Sequence, residues 1–162
     1  MSATPIPPAI EVDIDRASTV AAPLDTVLNT WVQAAASQLP AVPLSVAVRL
    51  VDTAEATSLN RDYRGKDYAP NVLSFPLHAD FPLPPDEPRP LGDVVLCLPV
   101  VQAEAATYGK SFEQRLAHLL IHGVLHLAGH SHDEPSEREA MEAAETAVMA
   151  RLGYPDPYTS DE

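Results

Sequence analysis

Between Phe112 and Leu127 apolar side chains recur so densely that a helix through them has almost no polar face: Phe112, Leu116, Leu119, Leu120, Ile121, Val124, Leu125 and Leu127 project nearly all the way round. Such a helix must be buried on most of its surface, so the rest of the domain has to be built around it. Ser111 stands where an N-cap belongs, and Gly129 stands where a helix stops. A buried helix tolerates polar groups only when they are partnered, and this one carries His118, His122 and His126.

The elements around it follow from periodicity. Ile10, Val12 and Ile14 alternate with acids, the two-residue period of a half-buried strand. Leu24, Val27, Leu28, Trp31 and Val32 have amphipathic-helix spacing, with Pro23 in the first turn and Pro40 to Pro43 closing the helix. LSVAVRLV, residues 44–51, is a second strand, and Asp52 is placed to N-cap a helix through Tyr63 with Glu55 as its capping-box partner. Short strands are expected at VLSFP, residues 72–76, and at DVVLCL, residues 93–98. Between them, residues 76–92 hold six prolines and read as a surface loop. Val101 to Tyr108 forms a short helix, and the run from Ser136 forms a last one, ended by Gly153 ahead of Pro155. The chain thus predicts about four strands and about five helices in one domain spanning residues 1–162, with residues 1–9 and 156–162 as tails.

Five of the six histidines lie in HLLIHGVLHLAGHSH. Positions 118, 122 and 126 are four apart and share one helix face at about 6 Å per step. Neighbours can share one ion, but His118 and His126 are two turns apart, too far for three Zn–N bonds of about 2.1 Å. One pair must be completed from elsewhere. Gly129 can adopt a left-handed conformation and turn the chain back over the helix, which brings a histidine three residues on toward the same ion. The predicted ligands are therefore His122, His126 and His132, with a fourth position open, the catalytic rather than the structural type of zinc site. His130 competes with His132 for the third place, and spacing favours His132. His118 is expected to pack or hydrogen-bond beside the site, and Asp133 to orient a ligand histidine.

In zinc proteases with this spacing a glutamate beside the first histidine is the general base. Here that position is Gly123, which can neither take nor give a proton, so peptide or amide hydrolysis is disfavoured. Zinc can still lower the pKa of water to about 7 and polarise a phosphoryl oxygen, which leaves phosphodiester cleavage open. Arg61, Arg64 and Lys66 cluster ahead of the strand at 72–76, and an arginine fork suits a phosphate better than an ammonium does. A formal charge of −13 opposes indiscriminate binding to polyanions. The acids are concentrated at the ends, since residues 40–132 carry ten acids against seven bases, so a local cationic pocket is compatible with it. Cys97 is the lone cysteine, set in VVLCLPVV as a small buried residue. The composition is that of soluble globular proteins, and MSATPIPPAI has neither the basic cluster nor the apolar core of an export signal, so a cytoplasmic location is expected.

The stretches VRLVDTAEATSLNRDYRGKDYAPNVLSFP, LGDVVLCLPVV, HLLIHGVLHLAGHSHDE and LGYPDPY resemble the bacterial YbeY family of zinc-dependent endoribonucleases nearly end to end. The resemblance implies an α+β fold with a small mixed sheet, zinc on His122, His126 and His132, and Arg64 as the functional, catalytic arginine facing the metal; Lys66, from the same basic cluster, is a further candidate substrate contact by its charge. It also implies single-stranded RNA as substrate and a place in ribosomal RNA maturation and quality control, with the small ribosomal subunit and its assembly proteins as partners. The chain departs from the family's Gly-Tyr-Asp-His at Gly129, His130, Ser131 and His132, and from its Pro-Thr at Ala69 and Pro70. The rival reading from another class is a non-catalytic assembly factor in which the metal only holds the fold.

Overall fold

The computed structural model describes residues 10–39, 43–77, 87–129 and 133–158. Within them the order is β1 (Ile10–Arg16), α1 (Asp25–Ala36), β2 (Leu44–Val51), α2 (Thr53–Arg64), β3 (Val72–Pro76), β4 (Arg89–Cys97), α3 (Leu98–Thr107), α4 (Phe112–Leu127) and α5 (Pro135–Arg151). The sheet order is β1-β2-β4-β3, with β3 antiparallel to β4 and the other pairs parallel. This is the α+β architecture with a small mixed sheet.

Successive residues of a strand face opposite sides, and the sheet uses both. Val46, Val48, Leu50, Val94 and Leu96 share one core with α1, α4 and α5, whereas Val51, Leu73, Val95 and Cys97 share a smaller one with Ala56 of α2. The helices α2 and α4 therefore lie on opposite faces. Ser111 caps α4 by accepting a hydrogen bond from the Gln114 amide at 3.0 Å, and ten of the sixteen residues of α4 are buried. Gly123 lets this helix approach the sheet: a Cβ there would stand 2.7 Å from Val94 Cγ1, closer than packed carbon atoms allow.

Several local expectations need correcting. The proline-rich segment does not remain a loop to residue 92. β4 begins at Arg89, and Pro90 lies within a central strand. It is accommodated because the register slips there: Ser45 pairs with Pro90 and Val46 with Gly92, leaving Leu91 as the extra residue, and proline suits the start of a strand or such an irregularity. Asp52 does stand at the N-cap of α2, but its side chain does not cap. Its carboxylate accepts from the Thr19 amide at 3.0 Å, the Thr19 hydroxyl at 2.8 Å and the Ser18 hydroxyl instead, hydrogen bonds that hold its pKa below the usual range. Glu55 is taken by Arg49 of β2, with Nη2 to Oε1 at 2.9 Å, rather than by a capping box. Pro23 precedes the N-cap Leu24, outside the first turn of α1, and its carbonyl accepts from Arg16. α3 starts at Leu98, three residues early, because Pro99 fits a first turn.

Candidate metal centre

The three histidines of α4 occupy graded environments. His118 is buried, His122 is partly exposed with its side chain at 24%, and His126 is exposed. The ring centroids of His122 and His126 are 6.3 Å apart and those of His118 and His122 are 6.5 Å apart, as one helical turn requires. After Leu127 the helix closes on Ala128, the Gly129 amide reaches the His126 carbonyl at 3.1 Å, and Gly129 has φ +104°, a conformation L side chains rarely adopt. The chain is thus set to turn away from the helix axis at Gly129. The expected third ligand His132 and its competitor His130 lie outside the described residues, and among the described residues no three potential ligands converge. Asp133 is exposed at the start of the next segment.

A residue the sequence reading did not single out completes this end of the helix. Glu145 of α5 is fully buried, and its Oε1 lies 2.6 Å from His122 Nδ1 while its Oε2 lies 2.9 Å from His118 Nε2. The Tyr158 hydroxyl donates to Oε2 as well, and it stands 3.3 Å from His118 Nε2. Burial alone would push the Glu145 carboxyl up, but hydrogen bonds from His118, His122 and Tyr158 outweigh it and hold the pKa at about 2. Glu145 was detectable in principle. It falls four residues after Met141 and three before Val148, both buried, so an acid interrupts the apolar face of an amphipathic helix.

The donor chemistry suits a zinc ion. A carboxylate on Nδ1 of His122 fixes the tautomer that presents Nε2 to a metal, the usual arrangement around zinc-bound imidazole. A pocket of about 150 Å³ lined by His122, Arg138, Met141, Glu142, Glu145 and Tyr158 adjoins the pair.

Arg64 is the last residue of α2, where Gly65, at φ +67°, ends the helix. It is exposed, and neither its side chain nor that of Lys66 makes a hydrogen bond or ion pair among the described residues, whereas Arg61 is held by Asp67 at 2.7 Å. Asn60 anchors the following loop through its side-chain amide to the Tyr68 carbonyl at 2.9 Å. Tyr63 packs on Phe75 of β3 with centroids 4.3 Å apart. Farther along, Asn71 donates to Glu104 of α3 at 3.1 Å, and Glu104 accepts from Arg115 of α4 at 2.8 Å. Arg64 and the histidines therefore sit on elements packed against opposite faces of the sheet.

A family model described as "Endoribonuclease YbeY" matches residues 10–153. A protein of that name from Pseudomonas putida (strain W619) is 50% identical over 153 residues, covering 94% of this chain and 96% of its own. One from Stutzerimonas stutzeri is 49% identical over 157 residues, covering 94% and 93%. The solution structure of a Thermotoga maritima protein superposes with a TM-score of 0.58 over 91% of this chain and 99% of its own at 24% identity, a likeness of fold. A match across nearly the whole sheet-and-helix framework, with relatives at half identity, makes the chain a member of the endoribonuclease YbeY family.

Proposed function

We propose that the chain is a zinc-dependent endoribonuclease that cuts single-stranded RNA during maturation and quality control of the small ribosomal subunit, in the cytoplasm. The observation that carries this reading is the His122–His126 pair on the emerging end of a buried helix, with His122 Nδ1 held by Glu145. His122 and His126, with His132 as third ligand, would hold the ion. When bound, zinc supplies a Lewis acid and lowers the pKa of water to about 7. Membership of a family whose members are named endoribonucleases supports a phosphodiester as the bond cut. Among the described residues, no helix is long and apolar enough to cross a membrane.

The chain's own residues bind and orient the phosphate. Arg64, without an internal partner among the described residues, offers two parallel N–H donors to phosphate oxygens and stabilises negative charge as it develops. Lys66 adds a point charge two residues on. RNA that meets both Arg64 and the histidines passes round the β3 edge, a path that suits an extended single strand. Small-subunit assembly proteins and ribosomal RNA are the partners this reading implies. In the test, zinc-loaded wild type cleaves single-stranded RNA, and Arg64→Ala retains its zinc but cleaves about a hundredfold or more slowly. Equal rates for the two proteins would refute the role of Arg64.

A further inference from the structure

A fully buried carboxylate costs several kcal/mol to remove from water, and an apolar side chain of similar size commonly serves stability as well or better. Nothing in the packing of α5 asks for a charge at 145, since its helical neighbours Met141 and Val148 are apolar and buried. Yet both Glu145 oxygens are in use. Among the described residues Oε1 meets His122 Nδ1, and Oε2 receives His118 and Tyr158. The carboxylate is thereby fixed from the side away from the metal-binding imidazole.

Tyr158 is itself held from several directions. The Pro157 carbonyl accepts from Lys110 Nζ at 2.7 Å, and Pro157 is buried. The Tyr158 amide donates to Asp156 Oδ1 at 2.8 Å. At the start of the segment the Tyr154 hydroxyl donates to Glu113 of α4 at 2.9 Å, and its ring meets Trp31 edge-on with centroids 6.5 Å apart. Residues 154–158 thus run as a strap from α5 back along α4 to the buried carboxylate.

We propose that Glu145 is the positioning residue of the metal centre, holding His122 in the tautomer and orientation that turn Nε2 to the ion, and that Tyr158, through the strap, fixes Glu145. His118 then contributes by locking the second carboxylate oxygen, not by ligating the metal. This inference rests on the zinc reading given above.

The test compares full-length wild type, Glu145→Gln and Tyr158→Phe for zinc affinity, by competition with a chelating indicator, and for the visible absorption of the cobalt-substituted protein. Thermal melts of the metal-free forms run alongside. The amide in Glu145→Gln keeps the size of the side chain and weakens zinc binding by about tenfold to a hundredfold, with an altered cobalt spectrum. Tyr158→Phe gives a smaller loss in the same direction. Wild-type affinity and an unchanged cobalt spectrum in Glu145→Gln, even with a lowered melting temperature, would show a structural role and overturn the proposal. If Glu145→Gln does not fold, Tyr158→Phe decides in its place, because it leaves the carboxylate and both imidazoles present; zinc affinity and a cobalt spectrum equal to wild type overturn the proposal. Failure of wild type to bind zinc removes the metal reading itself, an outcome distinct from wild type binding and the variants binding equally.

Discussion

Glu145 concentrates the chemistry of the site at the scale of a single residue. Its carboxyl would ordinarily titrate near 4.5 and is held at about 2 by donors from His118, His122 and Tyr158. A depressed carboxyl pKa contributes stability that is complete above the unfolded value and disappears as pH falls through the folded one. For the metal-free protein the window runs from about 4.5 down to about 2, and the contribution is roughly 3 kcal/mol. Denaturant unfolding of metal-free wild type and Glu145→Gln across that range should show the stability gap narrowing as acid is added. A gap independent of pH would mean that folding does not lower the pKa of the carboxyl. Cys97 is the opposite case: burial pushes its thiol up, consistent with the inert apolar residue its setting in VVLCLPVV implies.

At the scale of elements, the α4–β4 contact decides where the histidines point. Gly123 faces Val94, whereas its neighbour His122 turns toward α5 and Glu145. The absence of a glutamate at position 123 thus has a packing cause as well as a chemical consequence. Gly123→Ala must push α4 off the sheet or force Val94 from its rotamer, and overpacking of this kind costs about 1–3 kcal/mol. A loss of that size should appear in chemical denaturation, and an unchanged midpoint would show that the contact is looser than described. The core helix, its Ser111 cap and its stop at Gly129 were readable because they depend on local periodicity and local backbone freedom. The side chains of Asp52 and Glu55 were not, because Thr19 and Arg49 arrive from distant segments and compete successfully for the same oxygens. Pro90 misled for a related reason: a proline argues against a central strand until the partner strand supplies the register slip that admits it.

Across the whole molecule, the sheet separates Arg64 on α2 from the histidines on α4, and both helices touch the edge strand β3, through Tyr63 on Phe75 and through Gly123, whose carbonyl accepts from Ser74 at 3.4 Å. The sequence named the residue types and their spacing, and family resemblance supplied the pairing of arginine with metal. What it could not supply was the convergence of α5 and the 154–158 strap on the buried Glu145 carboxylate beside His118 and His122, since that depends on how helices distant in sequence pack together. An acid between Met141 and Val148 was the local trace of that packing. The acids are concentrated in residues 1–39 and 133–162, and with a formal charge of −13 an RNA substrate is held by a few placed cations rather than by bulk charge.

The most direct test is the metal content of full-length protein isolated without chelators or added metal, for wild type, His122→Ala and His126→Ala. About one zinc per chain is expected in wild type, and its loss in both variants. Wild-type protein without a bound ion, or either variant retaining a full complement of zinc, would contradict the zinc reading.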